Sequence, residues 1–359
     1  MQKWFCNSVL LRKINMKFAR TLLLFLTAVA FATLPAAAQN MSMDDIKASA
    51  AKAKNYPSGP IDFVCTTSPG SSVAVWCHNL AKGFSDELGV PVEVQFKKGG
   101  SQHEPVLYVS DKPADGLTMM HVSASFYGYF HLPHYKRNYQ DHFQFIAQVE
   151  NHTYGVAVAK NNKWGIKNFK DMVRVAKENC GKLVMGSNKI GSTHHRHQIA
   201  FLNSAGIGKC VRYVPYQGDG DTVKDVMGGH IDIGQASPRT WRPHLKAGTA
   251  IPIVMKLDKP LDDPDWKNVP TVRDVGLDYA IPHHWQGLAV KKGTPEPIMD
   301  KLILALHNMY KRPYFKEYLA KGTHIDLDIR DDRDWINADM AKYQAVVKKF
   351  MIDNKMIKP

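Results

Sequence analysis

From residue 56 onward, short apolar runs alternate with longer segments that have the spacing of amphipathic helices. The first apolar run is Ile61–Cys65, and the segment Val73–Leu88 that follows it has helical period and stops before Gly89. Glycine is common just after a helix because it adopts positive φ without strain. Strands that alternate with helices of about 10 to 15 residues form parallel sheets covered by helices. The alternation predicts an α/β fold of mostly parallel sheets flanked by helices.

The same rhythm continues through the middle of the chain and gives way to helices towards the C-terminus. A chain of 359 residues is long enough for about two domains. We expect the polar, Ala- and Lys-rich segment 39–56 to be a linker or a short helix. Further strands are predicted at 91–96, 117–122, 154–159, 183–185, 211–214, 231–233 and 251–255, and further helices at 168–179, 194–205, 217–227, 295–310, 313–321 and 331–350.

The N-terminus has the pattern of an export signal. A basic stretch with Lys17 and Arg20 precedes an apolar run at 21–34, and Ala36–Ala38 forms a small-residue cleavage site. The apolar run is shorter than the roughly 20 residues that a membrane-spanning helix needs. We therefore predict a signal peptide at 1–38 that is cleaved near Ala38, and a periplasmic destination for the rest of the chain.

The charge of the chain narrows the class of partner. The 47 Lys and Arg against 33 Asp and Glu give a formal net charge of +14. Residues 1–38 carry five basic and no acidic residues, so cleavage leaves +9; a start at Met16 instead of Met1 would leave the mature chain unchanged. A basic chain attracts nucleic acid, an anionic surface or an anionic small ligand. An exported protein does not meet the genome, so we expect no nucleic-acid partner.

Four cysteines remain after cleavage. Cys180 and Cys210 each precede an apolar run, and if those runs are neighbouring parallel strands both thiols lie at the same edge of the sheet. We therefore predict a Cys180–Cys210 disulfide. Cys65 and Cys77 leave two alternatives, a second disulfide or two free thiols. No C-x-x-C spacing occurs, so we expect no zinc site.

Two loops rich in Gly and Ser each connect a predicted strand to a predicted helix. Gly186–Thr193 nearly matches the P-loop pattern but lacks the Lys after its second Gly, so we expect no nucleotide cofactor. Such a loop still aims free N–H groups and the positive end of the helix dipole at an anion. Ser68–Ser72 repeats the design. Either the two loops face each other and bind an anion, or they are ordinary turns with capping Ser residues.

A cluster of histidines opens the second of these helices. His194 and His197 are spaced to share a metal ion, but no Cys or carboxylate follows at ligand spacing, so we expect no metal. We expect one histidine of this cluster to point into a ligand cleft. The chain has no G-x-S-x-G elbow and no Cys beside a nearby His, so no catalytic residue is predicted.

Ten short motifs, in the same order along the chain, resemble the TctC/Bug family of solute receptors for tripartite tricarboxylate transporters. Each motif is weak alone, but the shared order makes the resemblance specific over nearly all of the chain after residue 56. The motifs are Tyr56–Ile61, Ser68–Ser72, Pro113–Thr118, Gly191–His195, Val214–Gly218, Gly228–Asp232, His244–Gly248, Pro270–Gly276, Trp285–Leu288 and Gly293–Pro295.

This resemblance implies a two-lobed periplasmic binding protein, type II-like, with the ligand cleft between the lobes. Lobe 1 is expected at 57–157 plus 282–359, and lobe 2 at 158–281. The implied partners are a small carboxylate and the integral membrane subunits of the transporter, and the implied state is a monomer without a cofactor. The alternatives are an exported sensor or scaffold, or a hydrolase, on the same fold.

The resemblance also indicates the ligand contacts by position. The family loop often continues with an Asp where this chain has Ala74, which disfavours an amino-acid ligand. The expected ligand-binding residues are Ser68, Gly70, Ser71, Ser72, Gly191, Ser192, Thr193 and His195, with His194 as the competing histidine and Tyr216 and Gln217 as further lining residues.

Overall fold

The computed structural model of the protein describes residues 42–135, 142–280, 284–321, 325–331 and 333–359. The predicted signal peptide at 1–38 lies outside these ranges. The strands of the described ranges are β1 (Ile61–Cys65), β2 (Val92–Phe96), β3 (Thr118–Ser123), β4 (Phe143–His152), β5 (Gly155–Ala159), β6 (Leu183–Asn188), β7 (Val211–Tyr216), β8 (Ile233–Ala236), β9 (Ala250–Met255), β10 (Trp285–Lys291) and β11 (Ile325–Arg330).

The helices alternate with strands as predicted, and the described ranges contain more helices than the sequence indicated. They are α1 (Met43–Ala50), α2 (Ser72–Leu88), α3 (His103–Ser110), α4 (Phe126–Tyr129), α5 (Phe169–Glu178), α6 (Thr193–Ser204), α7 (Asp219–Met227), α8 (Pro238–Lys246), α9 (Glu296–Met309), α10 (Pro313–Lys321) and α11 (Arg333–Asp353). A short 3₁₀ turn, Gly100–Gln102, precedes α3. None of the helices in the described ranges combines the length and the apolar character that a membrane crossing needs.

The first sheet has six strands in the order β11-β4-β10-β3-β1-β2. Helices α2 and α9 cover one face, where Phe63, Trp76 and Leu306 are fully buried. Helix α11 covers the other face, where Met340 packs with Phe126. Strand β1 is paired in parallel on both sides, so the loop at its carboxyl end reaches the edge of the sheet where ligands of α/β folds bind.

The second sheet has five strands in the order β7-β6-β8-β5-β9. Successive side chains of a strand point to opposite faces. Accordingly Val156 packs with Met172 and Phe201 on one face, whereas Ala157 packs with Trp241 on the other. Strand β6 is paired in parallel on both sides, as β1 is in the first sheet.

Both sheets are mixed, which differs from the mostly parallel sheets expected. Strand β10 runs antiparallel to β3 and β4, and β5 runs antiparallel to β8 and β9. The cause is that the chain crosses between the sheets without a covering helix. It passes from the first sheet to the second between His152 and Gly155, and returns between Met255 and Trp285. Each crossing reverses the direction of the strand that it delivers.

Candidate functional site

The loop from β1 to α2, residues Thr66–Ser71, is called the α2 loop. Ser71 caps the helix, and its hydroxyl accepts a hydrogen bond from the Ala74 backbone N–H at 3.1 Å. Gly70 has φ of +82°, a backbone conformation that residues other than glycine rarely adopt. The turn at Gly70 leads directly to the cap residue Ser71. The first N–H groups of α2, beginning at Ser72, are among those that a helix leaves without intrahelical partners.

The loop from β6 to α6, residues Lys189–Ser192, is called the α6 loop and repeats this construction. Ser192 caps α6 and accepts from the His195 N–H at 3.1 Å. Gly191 has φ of +80°. The N–H of Thr193, the first helical residue, donates at 3.2 Å to the hydroxyl of Ser125, which follows β3 and precedes α4. Both loops therefore end in a serine cap at a helix N-terminus, as the sequence suggested.

Hydrogen bonds join the two loops and their neighbours across the gap between the sheets. The Ser68 hydroxyl donates to Asp221 Oδ2 at 2.7 Å, and the Thr67 hydroxyl donates to the Gln217 carbonyl at 3.4 Å. Lys189 Nζ donates to the Thr66 carbonyl at 2.7 Å. Of the two alternatives that the sequence left open for the Gly/Ser loops, the structure has the one in which they contact each other.

Between the two loops lies a cavity of about 30 Å³, called the central cavity. That volume admits a water molecule, which needs roughly 10 to 15 Å³ of such space. Its polar lining comes from both sheets, and none of the described Asp or Glu side chains lines it. The lining residues are Thr67, Val73, Gln102, His121, Ser123, Ser125, Tyr129, Asn188, Lys189, His194, His284 and Gln286.

Lys189 supplies the cationic group of the central cavity. It is 5% exposed, and burial lowers its pKa to about 7. Burial also lowers the pKa of His121 to about 3 and lowers the pKa values of His194 and His284, so these three rings are neutral at neutral pH. An anion in the cavity would therefore meet one titratable cation among neutral donors.

Several polar atoms of the lining lack a protein partner. They are Gln102 Oε1, Asn188 Oδ1, His194 Nδ1 and His284 Nδ1. A buried polar atom without a hydrogen-bond partner lowers the stability of the fold by about 1 to 3 kcal/mol. Such atoms in a native site therefore indicate that a ligand or water binds there. His284 Nε2 lies 3.1 Å from Gln286 Nε2 and can only accept from it, which leaves the ring proton on Nδ1 as a donor.

The geometry of the α6 loop depends on Arg196 and Asp219. The buried Arg196 guanidinium donates to the Gly191 carbonyl and, at 3.1 Å, to the Ala124 carbonyl of the first sheet. Asp219 accepts from Asn188 Nδ2 at 3.1 Å and lies 3.4 Å from His194 Nε2. Burial alone would raise the pKa of Asp219, but hydrogen bonds from His194 and Ser237 lower it, so the carboxylate stays ionised.

The structure separates the two candidate histidines. His194 lines the central cavity, whereas His195 does not. The His195 ring stacks on Tyr213, with ring centroids 4.0 Å apart and planes 8° apart. Tyr216 also does not line the cavity, because its hydroxyl donates to Asp225 at 2.6 Å. Gln217 contributes its backbone carbonyl to the contact with Thr67.

None of the ten expected ligand-binding residues lines the central cavity, and among its lining residues only His194 was considered as a ligand contact, as the alternative to His195. Lys189 lies inside the Gly186–Thr193 motif. A charged residue in that loop was therefore the sequence signal that could have identified it as a lining residue. His121 and Gln286 belong to neighbouring strands of the first sheet and hydrogen bond to each other, but 165 residues separate them. No local pattern connects residues at that separation.

The described residues form two disulfides, one at the amino ends of β6 and β7 and one at the α2 loop. Cys180 and Cys210 are bonded with an S–S distance of 2.07 Å, just before the parallel strands β6 and β7. Cys65 and Cys77, which the sequence left open, are bonded as well. The second bond ties the end of β1 to α2 and so closes the α2 loop at its base. In the described part of the chain, no three His, Cys, Asp or Glu side chains are placed to hold one metal ion.

The profile of the family described as "Tripartite tricarboxylate transporter family receptor" matches residues 77–352. The chain belongs to this family. Its relatives include the "UPF0065 protein in gbd 5'region" of Cupriavidus necator, 26% identical over 274 residues, which are 76% of this chain and 80% of that protein. The membership agrees with the resemblance read from the ten motifs.

Solved structures show the same fold. The periplasmic binding protein BugD has a TM-score of 0.76 at 20% identity, over 85% of this chain and all (100%) of that one. A protein of R. palustris solved with adipate has a TM-score of 0.74 at 18% identity, over 82% of this chain and 97% of that one. This receptor-family chain therefore has the two-lobed periplasmic binding fold.

Proposed function

We propose that this receptor captures a small carboxylate in the central cavity and delivers it to the membrane subunits of a tripartite tricarboxylate transporter. One observation carries the proposal. Val73 in the first turn of α2, His194 in the first turn of α6 and the buried Lys189 line a cavity that none of the described acidic side chains lines. The family membership and the adipate bound to the R. palustris relative support the same ligand class.

Complementary charge favours a carboxylate in this cavity. Each helix N-terminus has a partial charge of about +0.5, and its leading N–H groups point along the helix axis towards an anion. Lys189 adds an ammonium group, and hydrogen bonds between ionised partners are roughly twice as strong as neutral ones. In this structure Lys189 donates to the neutral carbonyl of Thr66. A carboxylate oxygen in its place would give the ammonium group a charged acceptor. An acid without an amino group fits best, because Ala74 stands where the family often has Asp.

Capture requires the lobes to separate and close again. The central cavity of about 30 Å³ is far smaller than a dicarboxylate, and contacts such as Ser68–Asp221 seal it. We infer that the lobes divide at the two crossings, at residues 153–154 and between Met255 and Trp285. The Ala157 boundary expected from the sequence lies inside β5 of the second sheet. Hinge residues at element ends can absorb such a motion.

The route to the ligand follows from the predicted export signal. Cleavage near Ala38 would release the chain to the periplasm, where the α2 and α6 loops meet the solute. The membrane subunits of the transporter would then receive the solute from the closed receptor. A single chain holds both loops, so the monomer is complete for binding.

A screen of carboxylic acids by thermal shift tests the ligand class. An acid at 100 times its Kd adds about 2.7 kcal/mol to the free energy of unfolding. Mass spectrometry of the recovered ligand separates the proposed receptor from the hydrolase alternative. We expect recovery of the unchanged acid, and conversion of the acid to a product would overturn the receptor function.

Lys189→Met then tests the site with the best acid of the screen, by calorimetry. Removal of a charged hydrogen-bond donor costs about 1.5 to 3 kcal/mol, so we expect the affinity to fall about 10- to 150-fold. Lys160→Met is the matched control, because Lys160 is exposed at the end of β5 and away from the cavity. Equal affinities in the wild type and both variants would show that the acid binds elsewhere.

A further inference from the structure

A second cavity lies on the other side of α6. It has a volume of about 200 Å³, compared with about 30 Å³ for the central cavity, and is called the rear cavity. Its walls come from α6, from β7 and from Asn354, which follows α11. Asn203 of α6 donates to the Asn354 side chain at 2.9 Å, and both residues line the cavity.

The walls of the rear cavity combine apolar side chains with the polar side chains of His195, Gln198, Asn203, Tyr213 and Asn354, and Gln198 and His195 offer hydrogen bonds to a bound molecule. Ile199, Leu202 and Val211 supply the apolar surface. Gln198 is 1% exposed, its amide nitrogen donates to the Met185 carbonyl at 3.4 Å, and its Oε1 has no partner. An unpartnered buried acceptor calls for a donor from a bound molecule.

The second polar group is the ring of His195. Its Nδ1 accepts the Gly191 N–H at 3.2 Å, so the neutral ring has its proton on Nε2 and offers a donor. Burial lowers the pKa of His195 to about 4, so the ring stays neutral at neutral pH. None of the described residues that line the rear cavity has a charged side chain at that pH. A charged guest would lack a counter-ion there.

We propose that the rear cavity is a second ligand site, for an uncharged, ring-sized molecule with a group that both donates and accepts hydrogen bonds, such as a phenol or a primary carboxamide. The group accepts from His195 Nε2 and donates to Gln198 Oε1, while the ring packs on Leu202 and Val211. The volume suits one ring, since an apolar cavity of about 150 Å³ holds benzene.

The rear cavity is coupled to the central cavity through α6. His195 holds the N–H of Gly191, and its neighbour His194 lines the central cavity. A guest that fixes the His195 ring also fixes the α6 loop, so its binding raises the affinity for the carboxylate. By linkage the carboxylate raises the affinity for the guest by the same factor.

The test is titration of the wild-type protein with phenol and with benzamide, followed by NMR, with benzoate as the charged control. Leu202→Trp and Ile199→Trp fill the cavity, and Leu202→Met is the matched control that keeps it open. We expect saturable binding of at least one neutral probe to the wild type and to Leu202→Met, and at least tenfold weaker binding to both Trp variants. The thermal melting transition of each variant shows whether it is folded. If only one Trp variant folds, that variant alone is sufficient to test the proposal.

Absence of saturable binding by both neutral probes, or equal binding in a folded Trp variant, would overturn the proposal. Binding of benzoate as tight as that of benzamide would overturn the neutral ligand class. The titration contains no ligand of the central cavity, so its failure leaves the carboxylate proposal untouched. Conversely, an acid screen without hits would count against the carboxylate proposal, and the titration would still test the rear cavity.

Discussion

The α2 loop and the α6 loop are built alike in backbone and differ in charge. Both contain a glycine with φ near +80° and a serine that caps the following helix. The α2 loop offers only neutral groups and is closed at its base by the Cys65–Cys77 disulfide. The α6 loop carries Lys189 and is held by Arg196. We propose that the backbone N–H groups of both loops provide the general anion site, whereas the second lobe provides the charge that decides affinity.

The largest expected effect comes from the glycines of the two loops. Gly191→Val forces a β-branched residue to φ of +80° and brings its Cβ to 3.2 Å from Leu132. Gly70→Val imposes the same backbone strain, of order 1 to 3 kcal/mol, but its Cβ meets nothing within 4 Å. We expect Gly191→Val to lower carboxylate affinity at least tenfold more than Gly70→Val does.

Calorimetry with the best acid of the screen measures both variants, and circular dichroism checks their folds. The comparison between the loops would fail if folded Gly70→Val lost as much affinity as Gly191→Val, because the crowding specific to the α6 loop would then have no effect.

The next effect is a dependence of affinity on pH. The pKa of Lys189 is lowered to about 7 by burial, and a bound carboxylate raises it, so binding takes up a proton. The affinity for a fully ionised acid is therefore highest below pH 7 and falls above it, by up to about tenfold per pH unit. Calorimetry in two buffers with different ionisation enthalpies counts the protons taken up.

Lys189→Met provides the control for this measurement, because the proton uptake above pH 7 should disappear with the ammonium group. Proton uptake that persists in Lys189→Met would show that another group takes up the proton. It would then contradict the proposal that the charge of Lys189 distinguishes the two loops.

The smallest effect concerns the two capping serines. Ser192→Ala and Ser71→Ala each remove a cap, which costs about 1 kcal/mol of stability. A loosened helix N-terminus beside the cavity costs about 1 kcal/mol of binding, or roughly fivefold, because the other donors of the site remain. Thermal melts and calorimetry should give similar losses for the two variants. A much larger loss of affinity in Ser71→Ala would mean that the α2 loop, and not the α6 loop, dominates binding.

The sequence was most informative where the structural signals are local. Gly89 ends α2 in the left-handed conformation, and Ser71 and Ser192 are caps, because both kinds of signal act within one helical turn. The strands β4, β10 and β11 were missed. Gln148 in β4 and Gln286 in β10 are polar residues that become buried only in the folded structure, so no local apolar pattern marks these two strands.

The side chains of the central cavity were hardest to predict for the same reason. His121, Lys189 and His284 meet only after β3, the α6 loop and the end of the second crossing come together. His195 was expected in the cleft and His194 was the alternative, and the structure places His194 there, because one residue along a helix turns the side chain by about 100°.

A crystal structure with the best acid of the screen tests the central claim most directly. We expect one carboxylate to lie between the two loops, with its oxygens within hydrogen-bonding distance of Lys189 Nζ and of the leading N–H groups of α2 and α6. A carboxylate bound outside the central cavity, or inside it but away from both helix N-termini and Lys189, would contradict the account.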